Sequence, residues 1–330
     1  MKRYYFLLAG LILSFILWSC QQDGVLSSSK QESSVTVTIN GLNDQADTTW
    51  YEAWLLPKDG SSVDSVLSLG ILEKQDNGSF SVKADVNSGF LQTAENVIIT
   101  MELDSEKGYQ VKNDSTKEAG PSAYIILAGE LLANEGTVGI GHAKLIDFDL
   151  TSAVANYIID TPTDPQNRVN KAGIWFLNID TTRVLDSLGN VVSIDTTFSA
   201  GINLPAAPDG WSYGARISDG TQTVSLGAFT DPAKADNAAK YNGTNGTAYA
   251  FPGEDFIQSA PAGLTFPMNV TGKELTVTIT PRYPKKSVPF VVEAFKGTIP
   301  TDSAVKTKLE LPLMLENFPG GELKIELNIY

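Results

Sequence analysis

The chain has 330 residues, 42% hydrophobic and 19% charged, enough apolar material for a buried core, which excludes a globally disordered chain. Acidic residues number 38 against 24 basic ones, and the net charge of −14 excludes nucleic acid and anionic lipid head groups as partners of the general surface. A single cysteine and a single histidine exclude a disulfide framework and a His-rich zinc centre.

The first element is a leader. Met1-Lys2-Arg3 is basic, and the nearly unbroken apolar run from Tyr4 to Trp18 is shorter than the roughly 20 residues a membrane-spanning helix needs, so it reads as a secretory signal. Its end, Leu17-Trp18-Ser19-Cys20, resembles the lipobox of bacterial lipoproteins, in which a small residue precedes a cysteine that becomes the new N-terminus and carries lipid. The resemblance implies removal of residues 1–19, acylation of Cys20, and attachment to the cell envelope, at the outer membrane, facing the periplasm or the cell surface. Acyl chains that bury roughly 0.8 kcal/mol per methylene make such attachment lasting when more than one is present. Gln21-Gln22-Asp23 loosely resembles the acidic tags of surface-exposed lipoproteins. Residues 20–34 are rich in Ser and Gln and read as a flexible tether.

From Val35 onward the pattern is that of strands. Val35–Asn40, Val97–Leu103, Leu275–Thr280 and Leu323–Ile329 alternate apolar and polar residues between Gly, Pro, Asn or Asp turns, the period of half-buried antiparallel sheet. Helical periodicity is confined to short stretches, Asp147–Tyr157 and Asp231–Ala239. A series in the first half, Trp50–Leu56, Leu67–Leu72, Val97–Leu103 and Tyr124–Leu131, is matched in order and character by Trp211–Ile217, Val224–Phe229, Leu275–Thr280 and Pro289–Gly297. The expectation is an all-β chain of two tandem antiparallel β-sandwich (Ig-like) modules, residues 35–142 and 143–330, the second opening with a turn-rich connection over 160–170.

The first series also resembles a family. Tyr51–Leu56, Leu69–Leu72, Ile98–Glu102 and Gly120–Leu131 are similar to the strand and turn signatures of the extracytoplasmic C-terminal domain of RskA-type anti-sigma-K factors, over roughly residues 45 to 135. That resemblance implies an envelope location and a β fold. Family members hold a sigma factor through a cytoplasmic segment, and only Met1-Lys2-Arg3 precedes the signal here, so no direct sigma-factor contact is expected.

The chemistry-bearing residues are few. His142 is the sole candidate base for a Ser-His-Asp triad, and no Gly-x-Ser-x-Gly elbow accompanies it; Gly139-Ile140-Gly141-His142 lacks the Lys-Ser/Thr of a phosphate loop. Asp147 with Asp149, Asp160 with Asp164, Asp231 with Asp236 and Glu254 with Asp255 read first as caps and turns, with calcium ligation or paired catalytic acids as the alternatives. None has the spacing of a dedicated calcium loop, and no cofactor is expected. The Pro- and Gly-punctuated segment 251–267 reads either as a plug for the end of a sandwich or, with Trp211, Tyr213 and Tyr249 joining Phe251, Glu254, Asp255 and Phe256, as the lining of a protein- or glycan-binding groove. The functional expectation is a non-enzymatic, lipid-anchored envelope protein with a binding or structural role. Its alternatives are a sensory lipoprotein related to anti-sigma outer domains and an envelope hydrolase with a carboxylate site.

Overall fold

The computed structural model describes residues 32–44, 49–57, 66–103, 120–122, 124–131, 136–141, 150–166, 171–282 and 290–327. Cys20, His142, Asp147 and Asp149 lie outside the described residues. The chain is all-β with antiparallel sheets.

The largest sheet has nine strands. In chain order they are β1 (Glu32–Asn40), β2 (Thr49–Pro57), β3 (Leu67–Ile71), β4 (Glu73–Lys74), β5 (Phe80–Asn87), β6 (Ala94–Leu103), β7 (Ile125–Glu130), β8 (Thr137–Gly141) and, from the other end of the chain, β19 (Gly320–Leu327); their spatial order is β3-β2-β6-β7-β8-β19-β1-β5-β4. Alternation in β1 buries Val35, Val37 and Ile39 and leaves Thr36 and Thr38 half-buried, the expected period of two. Because β3 pairs with β2 and β4, one residue further on, pairs with β5, the stretch around buried Leu72 joins both edges of the sheet; the Leu72 amide donates to Tyr51 O at 2.9 Å. A short helix, α1 (Ser88–Leu91), capped by the Asn87 side chain on the Gly89 amide at 2.8 Å, links β5 to β6.

Three further sheets follow. One has the order β15 (Gly253–Asp255), β10 (Gly173–Trp175), β9 (Ala155–Ile159), β18 (Leu309–Leu311); another the order β14 (Thr223–Phe229), β13 (Trp211–Ser218), β16 (Glu274–Pro281), β17 (Val292–Thr298). The third is the hairpin β11 (Leu177–Leu185) and β12 (Val191–Ala200). The series matched in the sequence has matched positions in space: β3-β2-β6-β7 and β14-β13-β16-β17 run in the same order. Their irregularities match too. Ala53 faces Gly70 and Ala215 faces Gly227 immediately before a bulge, and a second bulge precedes Thr100 and Thr278.

The other half of the nine-stranded sheet, β5-β1-β19-β8, corresponds in turn to the separate sheet β15-β10-β9-β18. The place that β9 takes beside β10 is taken beside β1 by β19, so residues 320–327, which a division at 142/143 assigns to the second module, are built into the first sheet. Leu323 faces Val37 on one side and Val138 on the other, and Leu323 is fully buried. The approach to β1 is close: a Cβ on Gly321 would stand 1.9 Å from Thr38 O.

The two halves are joined further by one continuous core. Tyr51 packs edge-on against Phe80 (5.6 Å) and Phe290 (6.5 Å), and Phe290 edge-on against Trp211 (5.8 Å). Full burial of one such ring is worth about 1.5–3 kcal/mol, with further gain from edge-to-face geometry.

One local expectation is corrected. Asp231–Ala239 forms turns, because Asp231 and Asp236 turn their carboxylates onto the amides two residues ahead, at Ala233 and Ala238, in competition with a helix. Within 147–157, Leu150–Ser152 makes one tight helical turn before β9 begins at Ala155. Asp160 to Asp164, at the start of the turn-rich connection after β9, is buried.

Candidate functional site

Two features carry chemistry or exposure out of the ordinary, and they touch each other: a buried group of carboxylates around β15, and the β11–β12 hairpin standing on it.

β15 pairs with β10, Gly173 facing Asp255 and Ile174 facing Glu254, so alternation sends the Glu254 and Asp255 side chains to opposite faces of the sheet. Asp255 accepts the Thr163 amide and hydroxyl (2.8 and 2.5 Å) and the Trp175 indole N–H (2.9 Å). Glu254 Oε1 accepts the Tyr241 and Asn242 amides (2.7 and 3.1 Å), while its Oε2 is buried with no hydrogen-bond partner. Asp236 accepts the Ala238 and Gly253 amides, both at 2.7 Å. The strand can lie this close only because Gly253 has no side chain: its φ is +153° and a Cβ would sit 2.3 Å from Ile174 O. Three carboxylates thus fasten the long excursion 231–252 and the turn after β9 to the edge of β10.

Burial dominates their titration. It lifts Glu254 to about 7 against the opposing pull of its two amide donors, with the charges of Asp236 and Asp255 adding to the rise. Asp255 is lifted to about 6 by burial, opposed by Thr163 and Trp175 and helped by Asp160; Asp236 is lifted to about 6 by burial against the Gly253 and Ala238 amides. Such groups exchange protons near neutral pH. Glu254 and Asp255 are nevertheless fully buried, so a substrate would reach them only by displacing protein. Among the described residues, no group of three or more His, Cys, Asp or Glu side chains is arranged to hold a metal ion.

Asp160 connects this group to the hairpin. Its Oδ2 accepts the Tyr249 hydroxyl at 2.7 Å and lies 3.8 Å from Lys306 Nζ. Above the hydroxyl, the Tyr249 ring meets Trp175 (5.5 Å) on one side and Phe198 of β12 (5.2 Å) on the other. Leu177, at the start of β11, belongs to the same small cluster with Ile158 and Trp175, with Phe251 packed against it. A carboxylate, a phenol and a cluster of edge-on and tilted rings therefore clamp the root of the hairpin.

Beyond the root the hairpin leaves the body as an arm: from Asp180 to Ser199 every residue is exposed except partly buried Asp186. Its turn is rigid. Asp186 Oδ1 accepts the Leu188 and Asn190 amides (2.9 and 2.8 Å) and Gly189 takes φ +83°, while the amides of Asn190, Leu188 and Gly189 and the Asn190 side chain hold the Asp186 carboxyl below the usual carboxylate range.

The seven aromatic and acidic residues expected to line one groove are placed apart. Trp211 and Tyr213 are buried in β13, Tyr213 donating its hydroxyl to Pro205 O at 2.9 Å. Tyr249 and Phe251 pack at the root of the arm, Glu254 and Asp255 lie in β15, and Phe256 is sealed between Tyr241 and Phe266. Sequence reasoning missed Thr163 and Trp175 as the partners of Asp255, and it missed the arm. A signal for the arm was present in two alternating runs flanking Asp186-Ser187-Leu188-Gly189-Asn190.

The chain matches no protein-family model, no curated protein and no solved structure.

Proposed function

We propose that this protein is a lipid-anchored component of the cell envelope, held through Cys20 at the outer membrane, that acts by contact with other molecules and not by turnover. The observation that carries the contact role is the arm: a two-stranded element of 9 and 10 residues that is exposed from Asp180 to Ser199, apart from partly buried Asp186, and presents Leu185, Leu188, Val192 and Ile194. An isolated two-stranded hairpin is at best marginally stable, so an apolar arm left uncovered points to a surface elsewhere that covers it. The body supports this role as a scaffold of two related Ig-like β-sandwich modules, as the shared strand order and shared bulges suggest. The first module keeps the likeness to anti-sigma-K outer domains without implying a sigma-factor contact.

The test is fatty-acid labelling and membrane fractionation of the wild type and of Cys20→Ala, followed by protease shaving of intact cells. Labelled, membrane-bound wild type with unlabelled, released Cys20→Ala is the expected result. Retention and labelling of Cys20→Ala would overturn the anchored reading.

A further inference from the structure

Residues 231–252, between β14 and β15, contain neither strand nor helix, and of them only Pro232 and Pro252 are buried. The rings of Tyr241, Tyr249 and Phe251, partly buried against the two apolar clusters, are the main apolar surface this excursion gives to the body. A segment attached with so little apolar area belongs to the low-stability end of a fold, where local opening is easier than global unfolding.

Its polar attachments converge on carboxylates. Glu254 Oε1 accepts the Tyr241 and Asn242 amides, and Asp236 accepts the Gly253 amide. The Gly243 amide donates at 2.8 Å to the Thr163 hydroxyl, which in turn donates to Asp255. At Glu254 the two oxygens are unlike: Oε1 has two donors, whereas Oε2 is buried and has none. A proton on Oε2 leaves Oε1 to accept both amides and removes the charge. Without that proton an anion is buried with one of its oxygens unsatisfied, which is costly.

No cation offsets this charge. Asp236 and Asp255 face Glu254, and Asp160 faces Asp255, all of one sign. Asp164, in the turn after β9, adds another carboxyl nearby, and β10, β14 and residues 256–270 hold no ionisable side chain. The basic residues of the excursion are engaged otherwise: Lys234 pairs with Asp231 at 2.8 Å, and Lys240 lies over the Tyr241 ring at 5.3 Å. Lys306 faces Asp160, at 3.8 Å.

We propose that residues 231–252 form a proton-operated latch, closed while the Asp236, Glu254 and Asp255 group holds its protons and released from the edge of β10 when the group ionises. Burial lifts Glu254 to about 7 and the two aspartates to about 6, so release belongs to mild pH. The closed form binds protons that the open form, its carboxyls back in water near about 4, gives up; the latch is tight at acidic pH and loosens as pH rises through 6 to 7. Release extends to the arm. Tyr249 lies within the excursion and supplies the ring between Trp175 and Phe198, so opening removes one side of the root clamp. The latch thus sets how firmly the arm is held, whatever the arm contacts.

Amide hydrogen exchange of the mature chain at pH 5.5 and pH 8, with each rate divided by its intrinsic rate at that pH, tests the latch through the amides it holds. Protection at Tyr241, Asn242 and Gly243 is expected to fall roughly ten-fold or more from the lower pH to the higher. At pH 8 these amides should be less protected than those of β13 and should not respond to low urea, because local opening exposes little surface, whereas β13 amides should respond. Glu254→Gln keeps a carbonyl for both amides but carries no charge, and it is expected to shrink the pH-dependent loss several-fold. Protection that is equal at the two pH values, latch amides that share the protection and urea dependence of β13, or a Glu254→Gln variant that loses as much as the wild type would each overturn the latch.

Discussion

Gly70 and Gly227, 157 positions apart, hold the same place in their two sheets. Their φ angles are +112° and +118°, each follows the bulge on the strand that faces an alanine, and each donates its amide to the hydroxyl of the serine two residues earlier, Ser68 and Ser225, at 3.1 Å. Positive φ is a region that side chains with a Cβ avoid, so both turns demand glycine. Their surroundings differ. A Cβ at Gly227 would stand 2.6 Å from Asp236 Oδ1, whereas at Gly70 it would meet only Val82 Cγ2 at 3.3 Å. Gly227→Ala is therefore expected to cost on the order of 2–3 kcal/mol and Gly70→Ala about 1 kcal/mol, read as shifts in urea midpoint. Equal costs would show that backbone strain alone governs both positions.

Stability should fall as pH rises through neutrality. The carboxyls of Asp236, Glu254 and Asp255 are lifted on folding, to about 6, 7 and 6, so the native state binds protons that the unfolded chain has released. Their contribution is fully present below the unfolded value near 4 and is lost as pH climbs through 6 to 7. Asp186, Asp219 and Asp231 are held low by local hydrogen bonds and act in the opposite sense, but only in more acidic solution. A thermal midpoint higher at pH 5.5 than at pH 8 is the expected outcome, and Glu254→Gln should raise the midpoint at pH 8 and flatten the profile. A midpoint that rises with pH over this range would contradict the buried arrangement.

Tyr249→Phe keeps the rings against Trp175 and Phe198 but removes the hydroxyl that Asp160 accepts. Hydrogen bonds to charged groups contribute about 1.5–3 kcal/mol, so a loss of that order is expected. Faster amide exchange in β11 and β12, relative to β13, would show that the loss is transmitted to the arm.

Gly321→Val should be among the most damaging single changes, because no side chain fits beside Thr38 O. A loss above about 4 kcal/mol is expected, with new protease cleavage in β1 and β8 on either side of the displaced strand. Cleavage confined to the last strand would mean that β1 and β8 close without it.

Much of the fold was legible because half-buried strands write their period directly into sequence: Val35–Asn40, Val97–Leu103 and Leu275–Thr280 all lie within strands. The repeated order was legible for the same reason. Alternation specifies which face of a strand is buried but not which strand lies beside it, and so nothing in Leu323–Leu327 announced a partner at Val37. The candidate site was harder to read. Glu254 and Asp255 are adjacent in sequence, yet strand geometry sends them to different partners, and Asp255 finds Thr163 and Trp175 across 92 and 80 positions. Aromatic residues of segment 251–267 resemble a binding surface and a plug equally in composition, and only packing separates them: Phe256 is 0% exposed.

The insertion of β19 also governs when the chain can fold. Ser33 pairs with Leu327, so the first sheet stays open along β1 and β8 until residues 320–327 have left the ribosome. Contacts of such wide sequence separation form slowly. The N-terminal half must wait for the C-terminal half, and a chain cut short in synthesis would present two bare strands to its neighbours.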